Sequence, residues 1–165
     1  MRVLIWATHF QTDILALAAW LGRREDVALM IVTPGAARFR ETRIADALRL
    51  RASLLDRRAP ATMRKVRAFA ADVVVADNHV PPPGTAPRLF YMWHGLGWKA
   101  RSRLDLQIFY HQVKQLTGID PRLPNANFRA QCYGPTDRAW RIDDWQLPPE
   151  SCVEIGMAFS DLLRD

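Results

Sequence analysis

Short, unbroken apolar runs alternate with segments of helical period, and this alternation limits the folds open to the chain. Val3 to Ala7, Val27 to Thr33, Asp72 to Ala76 and Leu89 to Trp93 have strand length and lack the polar-apolar alternation of a half-exposed strand. They read as strands buried on both faces. After the first, Thr12 is expected to cap a helix whose positions Ile14, Leu17, Ala18 and Leu21 keep the 3.6 period. After the fourth, Ser102 with Asp105 three places on marks a helix start near Arg103, and Leu106, Phe109, Val113 and Leu116 share one face until Gly118 ends it. A proline-interrupted loop then leads to a strand at Phe128 to Tyr133, a short helix around Asp137 to Gln146 and a strand at Cys152 to Met157. Strands that alternate with helices are joined by crossovers. The prediction is an α/β fold: a Rossmann-like, mostly parallel sheet with helices on both faces, as one domain over residues 1–165. A chain of this length can bury a core of its own.

The formal charge of +6 is uneven. Residues 36–67 hold ten arginines and lysines, among them Arg49, Arg51, Arg57 and Arg58, against three acidic residues. The segment is expected to form one or two helices up to about Ala70, broken near Pro60, with Ile44, Leu48 and Leu55 as its packed side. Such a basic face suits a solvated surface, an anionic polymer or lipid headgroups. No apolar run approaches the roughly 18 residues of a membrane span, and the start lacks a signal-peptide pattern, so a cytoplasmic protein is expected. Cys132 and Cys152 have no metal-ligand spacing and read as buried free thiols.

In open α/β sheets ligands bind beyond the carboxyl ends of the strands. The loops expected there carry His9, Asn78 with His79, and His94. The richest of them is Trp93-His94-Gly95-Leu96-Gly97-Trp98-Lys99, followed by Arg101 and Arg103 at the start of a helix. Three cations beside free helix N–H groups make an anion site, with Gly95 and Gly97 allowing close backbone approach and His94 poised beside the anion. The histidines share no ligand spacing with one another or with a carboxylate cluster, so no metal is expected. A Walker loop, a G-x-G-x-x-G after the first strand and a G-x-S-x-G elbow are all missing from the sequence. So are helix-turn-helix, zinc-finger and RNP patterns, and specific nucleic-acid binding is not expected.

Asp72-Val73-Val74-Val75-Ala76-Asp77-Asn78-His79-Val80-Pro81, then Phe90-Tyr91-Met92-Trp93-His94-Gly95 with Lys99 four places on, resembles the CDP-glycerol glycerophosphotransferase family of teichoic-acid-type polymer synthases. That family carries W-H-G-T-P-L-K after a Rossmann-like strand; here Leu96, Gly97 and Trp98 replace its Thr, Pro and Leu. Val153 to Asp161 is similar to the family's G-x-P-R-x-D segment, keeping Gly156 and Asp161 and losing the Pro and Arg. The resemblance spans residues 72 to 161.

The resemblance implies a GT-B architecture in which this chain is the N-terminal, acceptor-side half and a C-terminal domain binds most of the donor. It implies transfer of a polyol phosphate from a CDP-alcohol to a hydroxyl of a phosphorylated polyol or glycan acceptor in the cell envelope, releasing CMP. His94 would be the general base. Gly95, Gly97, Lys99, Arg101 and Arg103, with Asn78 and His9, would contact substrate, with no cofactor. The enzyme would work in the cytoplasm or peripherally on the inner face of the membrane, and these 165 residues alone are expected to lack appreciable turnover. A second reading is a non-catalytic module that binds an anionic polymer or membrane surface through residues 36–67.

Overall fold

The structure, a computed structural model, describes residues 1–92 and 102–161. Seven strands form one sheet: β1 (Arg2–Trp6), β2 (Ala28–Thr33), β3 (Ser53–Asp56), β4 (Val73–Asp77), β5 (Leu89–Met92), β6 (Phe128–Cys132) and β7 (Cys152–Glu154). Their order is β3-β2-β1-β4-β5-β6-β7, and each neighbouring pair is parallel. The described helices are α1 (Thr12–Gly22), α2 (Ala36–Glu41), α3 (Ile44–Ala47), α4 (Thr62–Phe69), α5 (Arg103–Thr117), α6 (Pro135–Asp143) and α7 (Ala158–Asp161). Strand order reverses between β1 and β4, the topological switch point of a doubly wound sheet.

The unbroken apolar runs are explained by burial on both sides. Leu4 pairs between Met30 and Val74, and with Trp6, Val32, Ala76 and Tyr91 it packs into a core shared with Val66 of α4 and Phe109, Val113 and Leu116 of α5. Val3, Ile5, Ile31, Val75 and Met92 point the other way, onto Ile14, Ala18 and Leu21 of α1. Each large aliphatic side chain buried in this way contributes about 1.5–3 kcal/mol. Phe109 is the hub of the first core, with ring centroids 4.9 Å from Tyr91, 5.5 Å from Trp145 and 6.1 Å from Phe128.

Helix α5 starts and stops where its sequence says. Ser102 Oγ accepts from the Asp105 N–H at 3.1 Å, and the Asp105 carboxylate accepts from the Ser102 N–H at 3.2 Å, closing a capping box. Gly118 ends the helix at φ 82°, in the left-handed region that glycine enters without penalty. The connection from β4 to β5 carries no described helix; a segment containing Pro81, Pro82 and Pro83 makes the crossover instead.

Other expectations need correction. The basic stretch 36–67 is not one helical face: Ser53–Asp56 is an edge strand paired with β2, Leu54 opposite Ile31, and the arginines are divided among α2, α4 and the turns that join α2, α3, β3 and α4. Gln11 rather than Thr12 is the N-cap of α1, and no side chain caps it. Helix α6 begins two residues before Asp137 and ends at Asp143, while β7 stops at Glu154. The inner face of α6 carries a buried ion pair, Arg141 facing Asp137 at 3.6 Å with the arginine wholly out of solvent. The Arg141 guanidinium lies over the Trp145 ring at 4.6 Å. Cys132 and Cys152 are buried and free. The hydrogen bond between the two thiols pushes the Cys132 thiol up and holds the Cys152 thiol down.

Candidate functional site

The carboxyl ends of β1 and β4 frame a crevice, and one side chain ties its two sides together. Asp77 ends β4 and is only 2% exposed. Its carboxylate accepts the backbone N–H of Thr8 and, at 3.2 Å, that of His9, both in the turn after β1. Burial of a carboxylate is tolerable when backbone donors point at it.

The next residue turns the chain back. Asn78 sits at φ 54°, a left-handed conformation that asparagine accepts more readily than most residues, and its carbonyl accepts the Tyr91 hydroxyl at 3.2 Å. His79 is thereby returned toward β1, with Nδ1 2.9 Å from Thr8 Oγ1. The Thr8 hydroxyl also lies 3.3 Å from the Asp77 carbonyl oxygen, so it joins the imidazole to the end of β4.

Between this turn and the start of α1 lies a pocket of about 110 Å³. His9, Gln11 and Asp13 line it from the α1 side, with Asp77 and Met92 from the strand ends. Asp13 is buried in the first turn of α1, where the helix dipole favours a carboxylate, and it accepts a hydrogen bond from the Tyr133 hydroxyl beyond β6. Burial, reinforced by the Asp13 charge, pushes the Tyr133 hydroxyl well above the usual tyrosine range.

His9 therefore lines the crevice as expected. Asn78 shapes it through its backbone but does not line this pocket, and Arg103 is an exposed residue opening α5. His94, Gly95, Gly97, Lys99 and Arg101 lie outside the described residues. Sequence reasoning missed Asp77, Asp13 and Gln11. Asp77 did carry a usable signal, since it is an acid at the end of an apolar strand run. Among the described residues the pocket holds two carboxylates and an imidazole but no arginine or lysine. Such a lining suits the hydroxyls of a polyol better than a phosphate. No group of three or more histidines, cysteines or acids placed to hold a metal occurs among the described residues, and none of their helices is long and apolar enough to cross a membrane.

No protein-family model matches the sequence, and no curated protein matches it. Among solved structures, a form of the wall teichoic acid polymerase TagF aligns with a TM-score of 0.67 at 9% identity, over 99% of this chain and 40% of its own length. This chain thus spans two fifths of that polymerase. The likeness lies in the fold, and the Rossmann-like, all-parallel sheet is shared with the polymerase over nearly the whole of the chain.

Proposed function

We propose that this chain is the acceptor-side half of a glycerophosphotransferase-like enzyme, binding the hydroxyl end of a polyol-phosphate polymer at the β1–β4 crevice. The observation that carries this reading is the carboxylate-lined pocket at the switch point, in a fold shared with a teichoic acid polymerase. Asp13 and Asp77 would accept hydrogen bonds from polyol hydroxyls, and His9 would contact the same ligand. Phosphates would lie toward Lys99, Arg101 and Arg103. His94 would take the proton of the attacking hydroxyl as its oxygen bonds to the donor's polyol-phosphate phosphorus and the bond to CMP breaks, a role worth about 100- to 10,000-fold. The enzyme would act in the cytoplasm, peripherally at the inner face of the membrane, with a further domain holding the CDP-alcohol.

The test joins this chain to a donor-binding half and follows CMP release from labelled CDP-glycerol. His94→Gln should lower turnover by about 100-fold or more and leave acceptor affinity unchanged, whereas Asp77→Asn should weaken acceptor affinity. Full turnover by the His94→Gln enzyme would remove the base from the scheme. Robust turnover by the 165 residues alone would refute the half-enzyme view.

A further inference from the structure

At the amino end of the sheet, remote from the crevice, the end of α1 meets the loop that enters β3. Arg23, the residue after α1, and Ala47, Arg49 and Arg51, all exposed, line an open concavity of about 470 Å³. Among the described residues no carboxylate lines it. Among the described residues, none of the three guanidiniums has a salt-bridge partner; the nearest acids in sequence are Glu25, Asp26, which is engaged by Arg24, and Asp46.

The convergence is held by packing. A Cβ on Gly22 would stand 2.9 Å from Leu50 Cδ1 and 3.2 Å from the Arg51 nitrogen, so the loop lies close against α1 at this glycine and a side chain there would make it shift. Leu50 anchors the loop against the α1 core, and its neighbours on either side are the two arginines. Arg49 is held at φ 51°, a conformation costly for a long side chain. A neighbouring cavity lined by Arg2, Arg67 and Arg88 differs in containing Asp72, which is paired with Arg2. Like charges gathered without a counter-charge repel, and a bound anion relieves the repulsion.

We propose that Arg23, Arg49 and Arg51 form a pocket for a phosphate group of a soluble anionic ligand. Guanidinium forks pair two oxygens of a tetrahedral phosphate at once, and a concave surface lined by three of them suits a single phosphate group better than it suits a flat bilayer. The site does not depend on the transferase reading, since it lies at the opposite end of the strands.

Pyrophosphate titrated calorimetrically into the full chain at low salt should bind saturably at one site. Arg49→Asn with Arg51→Gln should weaken that affinity by about tenfold or more, asparagine being chosen because it tolerates the left-handed backbone. Arg58→Gln with Arg64→Gln removes the same charge near the other end of the sheet and should change affinity by less than about twofold. Equal losses in the two double variants would mean diffuse charge attraction and would overturn the proposal. So would non-saturable binding, or binding to phosphatidylglycerol vesicles without binding to pyrophosphate. Should the first variant lose its far-ultraviolet circular dichroism, Arg23→Gln, on an exposed helix end, takes its place and must show the same selective loss.

Discussion

The aspartates buried in this molecule gather at one end of the strands, even though one of them, Asp137, is paired with an arginine as those at the other end are. At the carboxyl end, Asp13, Asp77 and Asp137 are buried, 7%, 2% and 6% exposed. At the amino end, Asp26, Asp72 and Asp120 remain accessible and each faces an arginine, Arg24, Arg2 and Arg122. Geometry accounts for the difference. In a parallel sheet the helices that follow strands begin at the carboxyl end, and free N–H groups there stabilise carboxylates even out of water. Asp13 and Asp137 lie in such first turns, and Asp77 takes its donors from the turn after β1. The opposite end offers helix carboxyl termini and solvent, so charges there are satisfied by one another and by water. The chain's positive charge therefore says little about the crevice, whose described lining is acidic.

Substitutions at the two ends should separate widely. The largest effect is expected from Arg141→Ala, which strands the buried Asp137 charge and should cost roughly 3–5 kcal/mol in chemical denaturation. Replacing both partners with Asp137→Asn and Arg141→Leu should recover much of that loss. If it does not, the pair matters for more than mutual neutralisation. Asp77→Ala comes next: it leaves the Thr8 and His9 amides without their acceptor and should cost about 2–4 kcal/mol. The same change at Asp72, on the accessible end, should cost much less than the change at Asp77, and a comparable loss there would erase the contrast.

The smallest effect concerns acid. Hydrogen bonds from Arg24 and Arg122 hold Asp26 and Asp120 below the usual carboxylate range, and the Arg2 backbone N–H does the same for Asp72. Groups with lowered pKa values contribute stability above their unfolded pKa and lose it as pH falls through the folded one. Stability at the amino end should accordingly decline only below about pH 4, and modestly, because solvent reaches all three groups. Asp120→Asn should flatten part of that decline in denaturation curves taken at successive pH values.

Where the residues of an element carry their own instructions, the fold was legible in the sequence. Helix α5 needed only Ser102, Asp105, its apolar stripe and Gly118, and the inner strands needed only their unbroken runs. The edge strand β3 was hidden because its four residues are half-buried at best and sit among arginines at helical spacing. What makes Leu54 a strand residue is Ile31 beside it, a partner that local pattern does not reveal. The crevice shows the same division. His9 was found by following the first strand to its end, whereas Asp77 and Asp13 acquire their place only once β1 lies next to β4 and α1 folds back over both.

Asp77 also has a mechanical consequence. The paired ladder between β1 and β4 ends at Trp6 and Ala76, and the aspartate's bonds to Thr8 and His9 extend that attachment one step further, to the lip of the opening. A doubly wound sheet could spread at this seam, since the two halves of its chain part company there. Spreading would strip a dry carboxylate of both its donors, so the mouth should hold the same width whether empty or filled, and a ligand arriving there would spend little of its binding energy on shaping it.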